Sequence, residues 1–209
     1  MKGFFKQYSY NIVKNFINQF AISIFGALLS MVTIVSSKTS NIWSIVVSIF
    51  SIVFYLFLIY TTTWEIGAKD RISVDVGKKQ YKPLTGLLIS LVSNIPNVIF
   101  AVILMVTDLA LMIPMLSAPT TQFAASFANM LNGARLIFRA VTIIGLQGMY
   151  SGILMAINLP GGANLAHQWW MYFVIIIPAL ITSLIAYNTG FKNFRLIAPL
   201  FDKKKKNNK

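Results

Sequence analysis

The sequence predicts an all-α integral membrane protein with six membrane-spanning helices and both termini in the cytoplasm. Composition, long uncharged apolar segments and the positions of the basic residues all favour this fold class. The 209 residues are 56% hydrophobic and only 11% charged, which leaves too little polar surface to cover a water-soluble protein. No charged residue occurs between Asn41 and Thr63. A helix of about 20 such residues spans the ~30 Å hydrocarbon core of a bilayer.

The apolar segments place the predicted helices in order along the chain. An amphipathic segment at 2–14 leads into the first span, because its aromatic residues recur at spacings of three and four. The six spans cover about 16–36, 42–63, 84–106, 109–132, 135–157 and 169–187. We expect residues 1–202 to form one transmembrane domain and residues 203–209 to form a basic, disordered cytoplasmic tail.

The number of crossings between residues 84 and 134 is decided by the basic residues, which concentrate on the cytoplasmic side of membrane proteins. With one crossing in this stretch, eight of the 18 Lys and Arg residues lie inside and ten outside. With two crossings, 17 lie inside and only Lys38 lies outside. We therefore predict six spans. The fourth is weak or broken, because it contains Pro114 and the polar segment 117–122.

Polar side chains within the apolar segments are the candidates for a substrate path. Asn94 and Asn97 are three residues apart and share a helix face, and Pro96 between them removes a backbone hydrogen bond and favours a kink. Gln147 lies deep in the predicted fifth span, beside Gly148. These three amides either line a path for a substrate or ion or form hydrogen bonds between helices. Gly148 and Gly152 are predicted to pack closely against a neighbouring helix.

Two arginines are candidates for contact with an anion or a lipid. Arg135 and Arg139 are four residues apart on one helix face, at the predicted cytoplasmic start of the fifth span. They either extend to lipid head groups or hold an anionic ligand. Asp108 is placed near the outer end of the third span, where we predict an interfacial charge or helix cap rather than a proton relay.

The charged segment 64–82 is predicted to be a cytoplasmic loop. Within it Ile72, Val74 and Val76 alternate with polar residues, which is a strand-like pattern. The loop is either a solvated connector or a docking element for a cytoplasmic partner.

Several classes of protein are disfavoured by what the sequence lacks. There is no Cys and only one His, so the sequence predicts neither a thiol nucleophile nor a metal site. No catalytic triad or phosphate-binding loop is present, and we predict no cofactor and no enzymatic activity. The basic residues alternate with the spans, which favours anionic lipid head groups over nucleic acid as the partner.

The first functional hypothesis is a small transporter or permease-like subunit, with the three amides and the irregular fourth span lining its path. The alternative is a non-transporting accessory or assembly protein. It would bind a cytoplasmic partner through loop 64–82, or a second copy of itself, and anionic lipid through its tail. A third hypothesis is a lipid-modifying enzyme whose two arginines hold a phosphate. In each case the expected location is the plasma membrane of a bacterium, as a multi-pass protein.

Overall fold

The structure is a computed structural model that describes residues 2–36, 42–160 and 162–194. All regular elements of this part of the chain are helical, apart from one isolated β-bridge between Asn158 and Asn164. The prediction of an all-α fold is therefore confirmed. Lys38 and the basic tail 203–209 lie outside the described residues.

The described residues form nine α-helices and three shorter helical turns. The α-helices are α1 (Lys2–Ser36), α2 (Ile42–Asp75), α3 (Thr85–Ser93), α4 (Ile95–Leu111), α5 (Pro114–Ser117), α6 (Gln122–Val141), α7 (Ser151–Ala156), α8 (Met171–Val174) and α9 (Ile177–Phe191). A π turn (Thr142–Leu146) follows α6, and 3₁₀ turns occupy Gly148–Tyr150 and Leu165–His167.

Three helical segments are long and apolar enough to cross a bilayer: Gly3–Thr33, Ile42–Asp75 and Met171–Phe191. Two bent helix pairs raise the number to as many as five spans if each pair crosses as one unit. The membrane class predicted from the sequence is thus supported, whereas the count of six spans is not confirmed.

Two polar clusters mark opposite ends of the helix bundle. At one end, Tyr8 of α1 and Tyr187 of α9 both donate hydrogen bonds to Asp70 of α2. At the other end, Arg139 of α6 is paired with Asp108 of α4. We call these the Asp70 end and the Asp108 end. Four helical segments connect the Asp70 end to the Asp108 end: α1, α2, the α3–α4 pair and the α8–α9 pair.

The distance between the two ends fits a bilayer. Ser30 of α1 lines a cavity together with Arg139, so it lies at the Asp108 end. From Tyr8 to Ser30 the helix rises by about 33 Å at 1.5 Å per residue. That length is close to the ~30 Å of a hydrocarbon core.

Small residues allow the helical segments to pack closely against one another. A Cβ added at Gly152 would collide with the carbonyl of Ser44, and one added at Gly148 would collide with the carbonyl of Ser23. The predicted close packing at these two glycines is confirmed. Larger side chains fill the core of the Asp108 half, including Leu104, Met149, Leu154 and Tyr172, which are fully buried.

The bend in the first helix pair is caused by the proline that the sequence indicates. Helices α3 and α4 meet at Asn94 with a bend of 53°, and Pro96 lies in the first turn of α4. Because proline has no N–H, it cannot continue the hydrogen-bond ladder back into α3. The predicted kink is confirmed.

The second bent pair corrects the sequence prediction. Helix α6 continues without interruption from Gln122 to Val141, so the predicted turn between spans at 132–135 is wrong. The predicted span over 135–157 is not confirmed, because the chain bends by 88° at Gln147. The stretch 109–132 does not form a helix of its own. It contains the end of α4, the four residues of α5 and the first half of α6.

The segment 122–156 has two arms that meet at an angle of 88°, and both arms reach the Asp108 end. In the first arm, Arg139 donates to the carbonyl of His167 at that end. At the tip, the carbonyl of Leu146 accepts a hydrogen bond from Gln19, in the middle of α1. The second arm returns along α1 and α2 to the level of Ser44, at the start of α2. We call this segment the 122–156 hairpin.

The predicted cytoplasmic loop 64–82 is in large part helical. Helix α2 continues to Asp75, so the strand-like interpretation of Ile72, Val74 and Val76 is wrong. Alternation over five residues is too short to outweigh the continuation of a long helix, which adds one hydrogen bond for each residue. The connection to α3 is limited to residues 76–84.

Candidate functional site

Buried side-chain amides lie at the break between α3 and α4. Asn94 joins the two helices with φ −91° and ψ 2°, and its Nδ2 donates to the carbonyl of Ser90 at 2.8 Å. Asn97 donates to Oδ1 of Asn94 at 2.7 Å. The Oδ1 atom of Asn97 is buried and accepts no hydrogen bond from the described residues. The break therefore holds one unused acceptor inside the bundle.

The tip of the 122–156 hairpin holds a second buried amide. The N–H of Gln147 closes the π turn by donating to the carbonyl of Thr142 at 2.8 Å. Its Nε2 donates to the carbonyl of Tyr172 at 3.3 Å. Its Oε1 is buried, again with no donor from the described part of the chain. A π turn interrupts regular helical bonding, and such turns are frequent at functional sites.

Both breaks lie near half the height of the bundle. Thr85 is at the Asp70 end, and Asn94 is about 14 Å further along α3. Gln19, which contacts the hairpin tip, is about 17 Å from Tyr8 along α1. Each value is close to half of the rise between the two ends. The polar amides and the irregular backbone therefore lie at the same height along the bundle axis, in its interior.

The Asp108 end contains two arginines and one carboxylate. Arg139 donates through Nη2 to both carboxylate oxygens of Asp108, at 3.2 and 2.9 Å, and to the carbonyl of His167 at 3.3 Å. Arg135 approaches the same carboxylate at 3.4 Å. The side chains of Asp108 and Arg139 are 7% and 9% exposed, while Arg135 is 30% exposed. The buried carboxylate compensates one arginine, which leaves the cluster with one excess positive charge.

A cavity of about 560 Å³ adjoins this cluster. It lies between the two arms of the 122–156 hairpin and the ends of α1 and α2. Its polar lining residues include Ser30, Ser44, Arg139, Asn164 and His167, and most of the remaining wall is apolar. Cavities of a few hundred cubic ångströms with few polar groups are typical of small-ligand sites.

The Asp70 end contains a neutral cluster. Asp70 accepts from Lys79 at 2.6 Å and from the hydroxyls of Tyr8 and Tyr187. The ammonium of Lys79 also lies over the ring of Tyr8, 5.5 Å from its centroid. A second cavity of about 630 Å³ opens beside the cluster, lined by Lys79, Lys82 and the N-terminal turns of α1. One acid and one base balance each other here, and the cluster joins α1, α2 and α9.

The structure separates the sequence-predicted site residues into groups. Asn94 and Asn97 contact each other, whereas Gln147 bonds to neither in the described residues. Arg135 and Arg139 come together on Asp108, within α6 and not at the start of a helix. Ile72 and Val76 are exposed, and neither contributes to the interior.

Sequence reasoning missed the pairing of Asp108 with the two arginines. A signal for it exists in the sequence. Asp108 follows a long apolar segment, and both arginines are flanked by apolar residues. Charges in such segments pair with one another, because an unpaired charge inside a membrane is costly.

The donor set offers no candidate metal centre, since no three His, Asp or Glu side chains come together within the described ranges. Comparison of the chain with protein-family models, with curated proteins and with solved structures finds no match in any of the three.

Proposed function

We propose that this protein is a small transporter or permease-like subunit whose substrate path passes the two helix breaks. One observation carries the proposal: at both breaks, near half the height of the bundle, a buried amide oxygen accepts no hydrogen bond from the described residues. Seven other buried side-chain atoms of the described residues also have no partner, so these two oxygens are distinguished by their position at the helix breaks. Discontinuous helices at the membrane midplane are typical of transporter binding sites. In this proposal the chain binds and moves a substrate and performs no catalysis.

The proposed topology has four crossings and one re-entrant hairpin, in place of six spans. The Asp70 end is cytoplasmic, both termini are on that side, and the membrane is the plasma membrane of a bacterium. All basic residues except Lys38, Arg135 and Arg139 then lie inside, which is 15 of 18. This distribution agrees with the preference of Lys and Arg for the cytoplasmic side. The π turn at the hairpin tip is tolerated at this depth because protein covers it.

The two polar clusters support a path that closes at either end. Asp70 connects three helices through charged and hydroxyl groups, and Asp108 connects α4 to the hairpin. In this proposal each cluster opens when its helices separate, so the two clusters act as gates. The unpaired amides lie between them.

Access of water to the amides is the experiment that tests the path. The chain contains no cysteine, so Asn97→Cys and Gln147→Cys each introduce a single thiol. In membrane vesicles we expect both thiols to react with a small water-soluble methanethiosulfonate reagent. Leu104→Cys is the control, because Leu104 is fully buried on the same helix as Asn97. If neither amide position reacts faster than position 104, the interior is dry and the amides only connect helices.

A separate labelling experiment tests the hairpin. Gly133 is exposed on α6, and the re-entrant topology places it outside. Six spans would place it in a cytoplasmic turn. We expect an impermeant maleimide to label Gly133→Cys in intact cells, as it labels Ala163→Cys. Lys78→Cys should be labelled only after permeabilisation. Protection of position 133 in intact cells would restore the six-span topology.

An accessory or assembly role is the second candidate. Ile72 and Val76 are 66% and 61% exposed, four residues apart where α2 ends. An apolar pair on a cytoplasmic extension can bind a protein partner. If this candidate is correct, Ile72→Ser with Val76→Ser releases a partner that co-purifies in mild detergent, while the amide substitutions have no effect on it. The transporter proposal predicts the reverse pattern in activity.

A further inference from the structure

The cavity at the Asp108 end has a cationic side chain with an unused hydrogen-bond donor. The hydrogen bonds of Arg139 to Asp108 and to the carbonyl of His167 all run through Nη2. Its Nε is buried without an acceptor, and its guanidinium also interacts with the hydroxyl of Tyr172. The residue is 7% exposed and lines the cavity. The unused Nε–H can donate a charge-assisted hydrogen bond to a carboxylate or a phosphate.

The charge of the site favours an anion over a neutral ligand. Asp108 neutralises only one of the two arginines that surround it. The Oγ of Ser30, which is also a lining residue, is buried without a hydrogen-bond partner among the described residues. One negative charge on a ligand balances the excess charge of the cluster and occupies the donors that the protein leaves unused.

The rest of the cavity is suited to a hydrocarbon chain. Met31, Leu136, Ile144 and Met155 line it and are exposed on the outside of the bundle. In a bilayer, exposed apolar side chains at this position contact lipid chains. The cavity therefore has a cationic inner part and an apolar opening toward the bilayer, which is an arrangement that matches an amphiphile.

We propose that this cavity binds a membrane amphiphile with a single anionic head group, which pairs with Arg139, while its acyl chain leaves through the apolar opening. A fatty acid and an anionic phospholipid share this chemistry. The proposal goes beyond transport, because binding at this cavity requires neither passage through the bundle nor a second conformation.

Native mass spectrometry of the purified full chain in detergent tests the proposal. The probes form two pairs that differ in charge: oleate against oleyl alcohol, and phosphatidylglycerol against phosphatidylcholine with the same chains. At least one anionic probe should bind with one-to-one stoichiometry and at least about tenfold more tightly than its neutral counterpart. The pair in which this preference is found identifies the head group as carboxylate or phosphate.

Two variants locate the binding site. Arg135→Gln removes the excess charge but retains the Asp108–Arg139 pair, and Arg135 does not line the cavity. We expect it to reduce the charge preference by about tenfold. Leu136→Trp obstructs the opening and should weaken binding by about tenfold or more. Ile137→Trp is the matched control, because Ile137 is exposed beside Leu136 and does not line the cavity. Its affinity should stay within about twofold of the unmodified chain.

Three results would overturn the proposal. Equal binding of both members of each pair shows that charge has no role. Displacement of the bound anion by millimolar inorganic phosphate indicates a site for aqueous anions instead of amphiphiles. Loss of binding in Ile137→Trp to the same extent as in Leu136→Trp places the site elsewhere, provided that both variants keep the melting temperature of the unmodified chain.

Discussion

The two ends of the bundle use the same kind of residue for different purposes. Each end has one carboxylate with little exposure, 6% for Asp70 and 7% for Asp108. Asp70 is surrounded by one cation and two hydroxyl donors, and its charge is balanced by Lys79. Asp108 is surrounded by two cations, and both arginines retain a buried Nε without an acceptor in the described residues.

This difference separates a structural connection from the proposed binding site. At the Asp70 end every partner of the carboxylate uses its polar group on it, and three helices are connected as a result. At the Asp108 end the carboxylate holds Arg139 beside a cavity and leaves part of its hydrogen-bonding capacity unused. A buried donor that is held in place but not used, such as Nε of Arg139, is available to a ligand.

The largest expected effect is that of Asp108→Asn. The substitution leaves Arg139, whose side chain is 9% exposed, without a compensating charge, and buried pairs broken on one side lose about 3–5 kcal/mol. We expect a marked decrease in melting temperature in detergent micelles. Asp75→Asn is the control, since Asp75 and its partner Arg71 are largely exposed. A stable Asp108→Asn variant would show that the arginines reach water or lipid head groups.

The same substitution at the opposite end, Asp70→Asn, should have a smaller effect. The amide oxygen of asparagine still accepts hydrogen bonds from Tyr8 and Tyr187, and Lys79 is 31% exposed and can turn toward water. Loss of a hydrogen bond to a charged group costs about 1.5–3 kcal/mol. Thermal unfolding of both variants under one condition gives the difference directly. Equal losses at the two ends would contradict the distinction between them.

Sequence reasoning found the class of protein and one of the two helix breaks. Pro96 identified the break at Asn94, because the physical cause is local: a missing N–H and a ring that clashes with the preceding turn. The bend at Gln147 has no comparable local cause. It depends on contacts of Leu146 with Gln19 and of Gly148 with Ser23, which are more than 100 residues apart in sequence. No periodicity within the segment contains that information.

The membrane topology is subject to the same limit. For most basic residues to lie in the cytoplasm, the chain must cross the membrane an even number of times after span two. The sequence prediction achieved this with a fourth span through 109–132. A hairpin that enters and leaves at the same end achieves this as well. In that topology Arg135 and Arg139 do not lie at the cytoplasmic head groups where they were predicted. Asp108 then provides the negative charge beside them. The charge pattern constrains which side a segment lies on, whereas the path of the backbone is decided by packing.

The hairpin itself can be tested through its glycines. Gly152→Ala places a Cβ against the carbonyl of Ser44, and overpacking of this kind costs about 1–3 kcal/mol. Gly133→Ala is the matched control in the other arm, where a Cβ meets no atom within 4 Å. Alanine is favoured over glycine in a helix by up to about 1 kcal/mol, so Gly133→Ala should raise the melting temperature slightly. The re-entrant packing is contradicted if Gly152→Ala is as stable as Gly133→Ala.

The smallest effects compare the two partly exposed cations, Lys79 and Arg135, whose side chains are 31% and 30% exposed. Lys79→Gln removes the only cation paired with Asp70 among the described residues and should cost about 1 kcal/mol or less. Arg135→Gln leaves Asp108 paired with Arg139 and should change stability by no more than about 0.5 kcal/mol. Chemical unfolding of both variants at low and high salt measures the difference, which should shrink as salt screens the exposed charge. If Arg135→Gln is the more destabilising of the two, both arginines are needed to hold Asp108. The excess charge would then be part of the fold and would not be available to a ligand.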